Sequence, residues 1–78
     1  MNDQITGIVS SKPRPAAGDG KDITFTLLCE DNSEVSCVSS VRFDHSTKID
    51  QGDKITLFGS RQPAIFLFEG VRYHKTHH

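Results

Sequence analysis

Asp50-Gln51-Gly52-Asp53-Lys54-Ile55-Thr56-Leu57-Phe58-Gly59 is the stretch that decides the fold. A Gly-Asp turn delivers the chain into a strand of alternating character. Ile55, Leu57 and Gly59 lie on the inward face, and Thr56 and Phe58 on the outward one. The strand is predicted over residues 54–61.

Four further strand-like runs surround it. Residues 5–11 set Ile5, Gly7 and Val9 against Thr6, Ile8 and Ser10, and Gly7 suits a sharp bend or a close neighbour. Residues 22–30 alternate Ile23, Phe25 and Leu27 with Thr24, Thr26 and Leu28, a composition that favours a pleated surface. Asp31-Asn32-Ser33 makes a hairpin turn into a third strand over 34–40, with either Val35 and Cys37 or Ser36 and Val38 facing in. Gln62-Pro63 turns the chain into a fifth strand over 64–74, bent at Gly70. That strand carries Ala64, Phe66 and Phe68 on one face and Ile65, Leu67, Val71 and Tyr73 on the other. A strand apolar on both faces implies cover from outside, for which a second protomer is one source.

The remaining segments read as connections. In residues 12–21, Pro13 and Pro15 cannot donate to a sheet ladder and Gly18-Asp19-Gly20 is turn chemistry. In residues 41–51, Val41, Phe43 and Ile49 are interrupted by Asp44, His45, Ser46 and Thr47, which leaves room for one helical turn at most. Residues 75–78 form a frayed tail. All five strands are compatible with antiparallel pairing, and an open sheet of this kind would leave long flat edges that closure removes.

Bulk properties narrow the function. The 78 residues make one domain, 1–78, whose small core buries roughly 60–65% of the unfolded surface and gives stability on the order of 5 kcal/mol. The formal charge of -1 offers no whole-chain cationic field, which disfavours tight non-specific binding to duplex DNA. Cys29 and Cys37 read as reduced thiols of a cytoplasmic protein, with a disulfide between neighbouring strands as the alternative. No apolar run approaches the ~18 residues of a membrane span.

The pattern resembles an OB-fold, the oligonucleotide/oligosaccharide-binding barrel. The resemblance lies in Ile5-Thr6-Gly7-Ile8-Val9 with the long loop after it, in Ile23-Thr24-Phe25-Thr26-Leu27, and in Gly52-Asp53-Lys54-Ile55-Thr56-Leu57-Phe58-Gly59. It ends in Phe66-Leu67-Phe68-Glu69-Gly70-Val71-Arg72-Tyr73, and so covers nearly the whole chain. Among such barrels it most resembles the small OB domains of bacterial single-stranded-DNA-binding proteins and their primosomal relatives. The fold this implies is all-β, a five-stranded Greek-key barrel, with the helix between strands three and four reduced or absent. The function it implies is non-catalytic binding of single-stranded nucleic acid, DNA ahead of RNA. Such barrels grip single strands on the face of strands two and three, between two flanking loops.

Binding of that kind needs cations for phosphates and ring planes for bases. Lys12, Arg14 and Lys21 load the first flanking loop, Arg61 the second, and Arg72 and Lys75 lie on or after the fifth strand. Thr24 and Thr26 offer hydroxyls on the presumed binding face, and Phe58 is the candidate exposed aromatic, for stacking or for a subunit interface. The alternative is an assembly or adaptor module, a homodimer or other homo-oligomer, suggested by the neutral charge and the two-faced fifth strand.

No cofactor, metal or catalytic machinery is expected. His74, His77 and His78 sit in or beside the tail with His45 remote, and Cys29 and Cys37 lack zinc-ribbon spacing. Asp44-His45-Ser46 is turn chemistry, because a triad needs convergent geometry rather than adjacency. Gly18-Asp19-Gly20 leads into no helix and so forms no phosphate-cradling loop.

Overall fold

The turn before the fourth long strand is pinned to the end of the first. Gly52 adopts φ +95°, a conformation that side chains oppose, and its N–H donates to Val9 O at 2.8 Å. Val9 N–H donates in return to Asp53 O at 2.9 Å, and the Asp53 carboxylate accepts from Asp50 N–H at 2.9 Å. The computed structural model describes residues 3–16, 22–44 and 46–74.

Six strands follow in chain order: β1 (Asp3–Val9), β2 (Arg14–Pro15), β3 (Ile23–Cys29), β4 (Glu34–Ser39), β5 (Lys54–Arg61) and β6 (Phe66–Tyr73). Five of them close as β1–β5–β6–β4–β3 and back to β1, and β2 adds to the free side of β3. This is an all-β closed five-stranded barrel with one extra strand, consistent with an OB-like fold, and no helix occurs among the described residues.

Several details depart from the sequence reading. The first strand starts at Asp3 and ends at Val9, rather than spanning 5–11, because its ladder to β5 begins at Asp3↔Gly59. The loop after it contains β2, where Arg14 pairs with Thr24 and Pro15 with Ile23. Not every pairing is antiparallel: β4 and β6 run parallel through Cys37↔Phe66, Val38↔Leu67 and Ser39↔Phe68. The two cysteines do lie on adjacent antiparallel strands, but the register sets Cys37 opposite Phe25, four residues along β3 from Cys29, and both thiols are free.

Closure depends on β1 pairing along both edges. Gly7 faces Cys29 on β3 and Ile55 on β5. A Cβ on Gly7 would lie 2.4 Å from Leu28 O and 2.8 Å from Leu28 C, so the close neighbour expected at this position is backbone, which cannot move aside.

The fifth long strand is not two-faced. The β5–β6 register passes from Phe58↔Gly70 to Gly59↔Phe68, so Glu69 is the extra residue of a β-bulge. The bulge shifts the alternation by one. Val71 and Tyr73 thereby turn onto the side of Phe66 and Phe68 and pack against the core, leaving only Ile65 and Leu67 outward. The requirement for outside cover that the sequence pattern implied is met largely within the barrel.

The interior is filled by Ile5, Val9, Phe25, Leu27, Cys37, Ile55, Leu57, Phe66 and Phe68. Residues 41–44 and 46–51 form turns rather than a helix, but they plug one end of the barrel with Phe43 and Ile49. The Phe43 ring meets Phe68 edge-on at 4.9 Å between centroids, and Phe25 lies 5.5 Å from Phe68 on its other flank. Tyr73 ties this segment down by donating its hydroxyl to Lys48 O.

Deleting Glu69 is expected to return Val71 and Tyr73 to the outer face and to abolish cooperative unfolding, whereas Glu69→Ala, which keeps the bulge, should change stability by roughly 0.5 kcal/mol or less. Urea denaturation of the two variants separates a phase effect from a side-chain effect.

Candidate nucleic-acid interface

The outer face of β3 and β4 is built by cross-strand rows. One row reads Arg14–Thr24–Val38–Leu67–Ser60 across β2, β3, β4, β6 and β5. The next sets Thr26 against Ser36, with Ile65 beyond them. Lys12 and Arg14 are exposed at the β3 side of this face. Continuing from β1, Ser10 N–H and Oγ–H donate to Thr26 O at 2.9 and 3.2 Å, and Ser11 Oγ accepts from Thr26 N–H at 2.8 Å. These bonds carry the start of the loop, and with it Lys12, along the β3 edge.

The sequence candidates therefore divide. Lys12, Arg14, Thr24 and Thr26 are brought together. The Thr24 hydroxyl is already committed, donating to Cys37 O at 2.9 Å. Phe58 does point outward and is half-buried, but it lies on β5 between Gln4 and Gly70, two strands from both β3 and β4. Its ring side covers Gly70, whose missing Cβ would sit 3.9 Å from Phe58 Cβ and Cδ2. Arg72 is exposed on β6 opposite Thr56. Lys21 and Lys75 lie outside the described residues, as do His45, His77 and His78.

Arg61 stands at the far end of the barrel among carboxylates. Its backbone N–H donates to Asp3 Oδ2 at 3.1 Å, and its guanidinium lies 6.0 Å from the Phe66 ring centroid. Two grooves share it. One runs past Glu34, Val35, Ser36 and Gln62 to Ile65, and the other past Ile5, Thr6, Glu30 and Asp31. Asp31 accepts from the Ser33 hydroxyl at 2.6 Å and from Ser33 N–H at 3.0 Å, and these bonds hold its carboxyl below the usual range. This end of the molecule is acidic, and Arg61 stands apart from Lys12 and Arg14.

Among the described residues, no aromatic ring lies on the β3–β4 face. Phe25, Phe43, Phe66 and Phe68 are buried, and Tyr73 is half-buried with its hydroxyl engaged. Sequence reasoning put Ile65 and Leu67 on an apolar face but missed that Val38 joins them: the three form a half-buried strip in the middle of the face. Alternation from Cys37 inward and Phe66 inward would have found it. A second missed feature is the chain of hydroxyls Thr6 Oγ1–Thr56 Oγ1–His74 Nε2, at 2.7 and 2.6 Å, which covers Thr56 although that residue points out of the barrel.

No cluster of three or more His, Cys, Asp or Glu side chains suited to a metal occurs among the described residues, and these contain no helix long and apolar enough to cross a membrane. No protein-family model, curated protein or solved structure matches the chain.

Burial pushes the Cys37 thiol up from an ordinary 9.0 to about 12, with the neighbouring Cys29 adding to the shift. The unfolded chain therefore releases this proton first as pH rises. Stability from Cys37 is complete below about pH 9 and is lost as pH climbs toward 12. Tyr73, raised by burial and then by the charges of Asp53 and Asp50, acts in the same direction. Urea denaturation from pH 8 upward should show falling stability, with a shallower fall in Cys37→Ala. Iodoacetamide should label Cys29 in the native protein and leave Cys37 unlabelled until unfolding.

Proposed function

We propose that this protein is a non-catalytic module that binds single-stranded nucleic acid, DNA ahead of RNA, along the outer face of β3 and β4. The observation that carries the reading is the placement of Lys12 and Arg14 beside the hydroxyls of Thr24, Thr26 and Ser36. In OB-like barrels this is the face that takes oligonucleotides. Two cations can neutralise two phosphates, for which the slope of log affinity against log salt is about -1.4 on a single strand. Without a ring on the face, stacking adds little, so binding by one barrel is weak, and sequence preference is slight. Tethering or oligomerisation would raise the affinity by avidity.

One observation favours a second reading, an assembly module that forms a homo-oligomer or adaptor. The strip of Val38, Ile65 and Leu67 adjoins exposed Pro63 and Ala64, a surface suited to another protein.

Fluorescence anisotropy with labelled oligothymidylate and oligouridylate at low salt tests the first reading. Lys12→Glu with Arg14→Glu should weaken binding at least about tenfold, while Arg61→Glu should leave it nearly unchanged. Absence of binding at tens of micromolar protein removes the nucleic-acid reading. Sedimentation equilibrium with Leu67→Asp tests the second, which requires an oligomer that this substitution dissociates.

A further inference from the structure

We propose that the open edge of β1 at Gln4 and Thr6 is a strand-addition site for an extended partner peptide with alternating aliphatic and basic side chains.

The edge follows from hydrogen-bond alternation. In an antiparallel ladder successive residues direct their N–H and C=O groups to opposite sides. Val9 N–H donates to Asp53 O, on the β5 side, and Ser10 N–H donates to Thr26 O, on the β3 side. Counting back, Asp3, Ile5 and Gly7 serve β5, whereas Gln4, Thr6 and Ile8 face the other way. Ile8 meets Leu28, but β3 ends at Cys29 and the chain turns off through Glu30. No described strand lies beside Gln4 and Thr6 on that side, and Thr6 lines a groove there.

That groove has a volume of about 350 Å³ and is bounded by Ile5, Thr6, Cys29, Val35 and the β3–β4 turn. A strand added to β1 would share its pleat, so alternate side chains would point toward Ile5 and Val35, which are apolar. The intervening positions would run outward past Glu30 and Asp31. Both carboxylates are exposed, and Asp31 is held ionised by its bonds to Ser33. Lys54 Nζ lies 3.9 Å from Glu30 Oε2 and Arg61 is on the groove lining, but Glu30 and Asp31, with Asp3 beside Arg61 and Glu34 in the adjoining groove, outnumber these two cations. This charge selects a basic peptide and repels a phosphate backbone. The proposal is independent of the nucleic-acid reading, which uses the other end of β3, where β2 pairs with it.

The test titrates the isotope-labelled full chain with the peptide acetyl-Lys-Val-Lys-Val-Lys-Val-amide and follows backbone amides by NMR. The expected result is that the Gln4 and Thr6 amides shift and exchange with solvent about tenfold more slowly on saturation. N-methylating one alternate set of peptide residues should cost about tenfold in affinity, and N-methylating the other set should cost little, because only one set faces β1. Glu30→Lys should weaken binding, and a peptide with Glu in place of Lys should not bind the parent protein. The proposal is overturned by no shift at millimolar peptide, by shifts confined to other strands, or by equal sensitivity to both N-methylation patterns. Displacement of the peptide by oligothymidylate from Gln4 and Thr6 would also overturn it.

Discussion

The barrel rests on a backbone-to-backbone approach at Gly7. From Gly7 to Val9, β1 is held on both sides, by β3 and by β5 or the turn before it, and no other part of the sheet closes the circle. The approach to Leu28 O leaves no space for a Cβ. Because side chains alternate with a period of two, the register fixed here decides which residues of every neighbouring strand face inward. The inward set from β1 and β5 then fills the space that Phe25, Phe66 and Phe68 enclose.

A core this small consumes aromatic residues. Of five phenylalanines, Phe25, Phe43, Phe66 and Phe68 are buried, and Phe58 lies over Gly70. The face that OB-like barrels use for oligonucleotides is left with hydroxyls, a half-buried aliphatic strip and two cations at one margin. Charge is segregated around a nearly neutral molecule: Lys12 and Arg14 lie toward the β2 edge, and Asp3, Glu30, Asp31 and Glu34 gather near the opposite end with Arg61. Function is read more safely from that segregation than from the net charge, which averages it away.

Much of the fold was legible because strand periodicity survives in so short a chain. The strand over residues 54–61 has the expected bounds, and the inward placing of Ile55, Leu57 and Gly59 follows from simple alternation. What periodicity cannot carry is relative direction or an inserted residue. The parallel β4–β6 pair has no signature in either strand. The bulge at Glu69 gives the fifth long strand the look of a two-faced element until its partner's register is known. Phe43 and Ile49 read as an interrupted pattern because they plug the barrel from turns, which have no period. The grouping of Lys12 with Arg14, and the separation of both from Arg61, depends on how far the sheet wraps between them. Composition of the loops holds no trace of that distance.

Pro13 and Pro15 acquire a meaning from the short β2 ladder. Ala16 N–H donates to Asp22 O at 2.8 Å, so Arg14 and Ala16 direct their amides at β3, while the alternate positions 13 and 15 face outward. Both of these are prolines, which have no amide hydrogen to offer. The outermost margin of the sheet is thus stripped of donors over four consecutive positions, and a second molecule laid against it would find half of each bonding pair missing. Fibril growth from that margin is blocked by covalent chemistry, without recourse to charge.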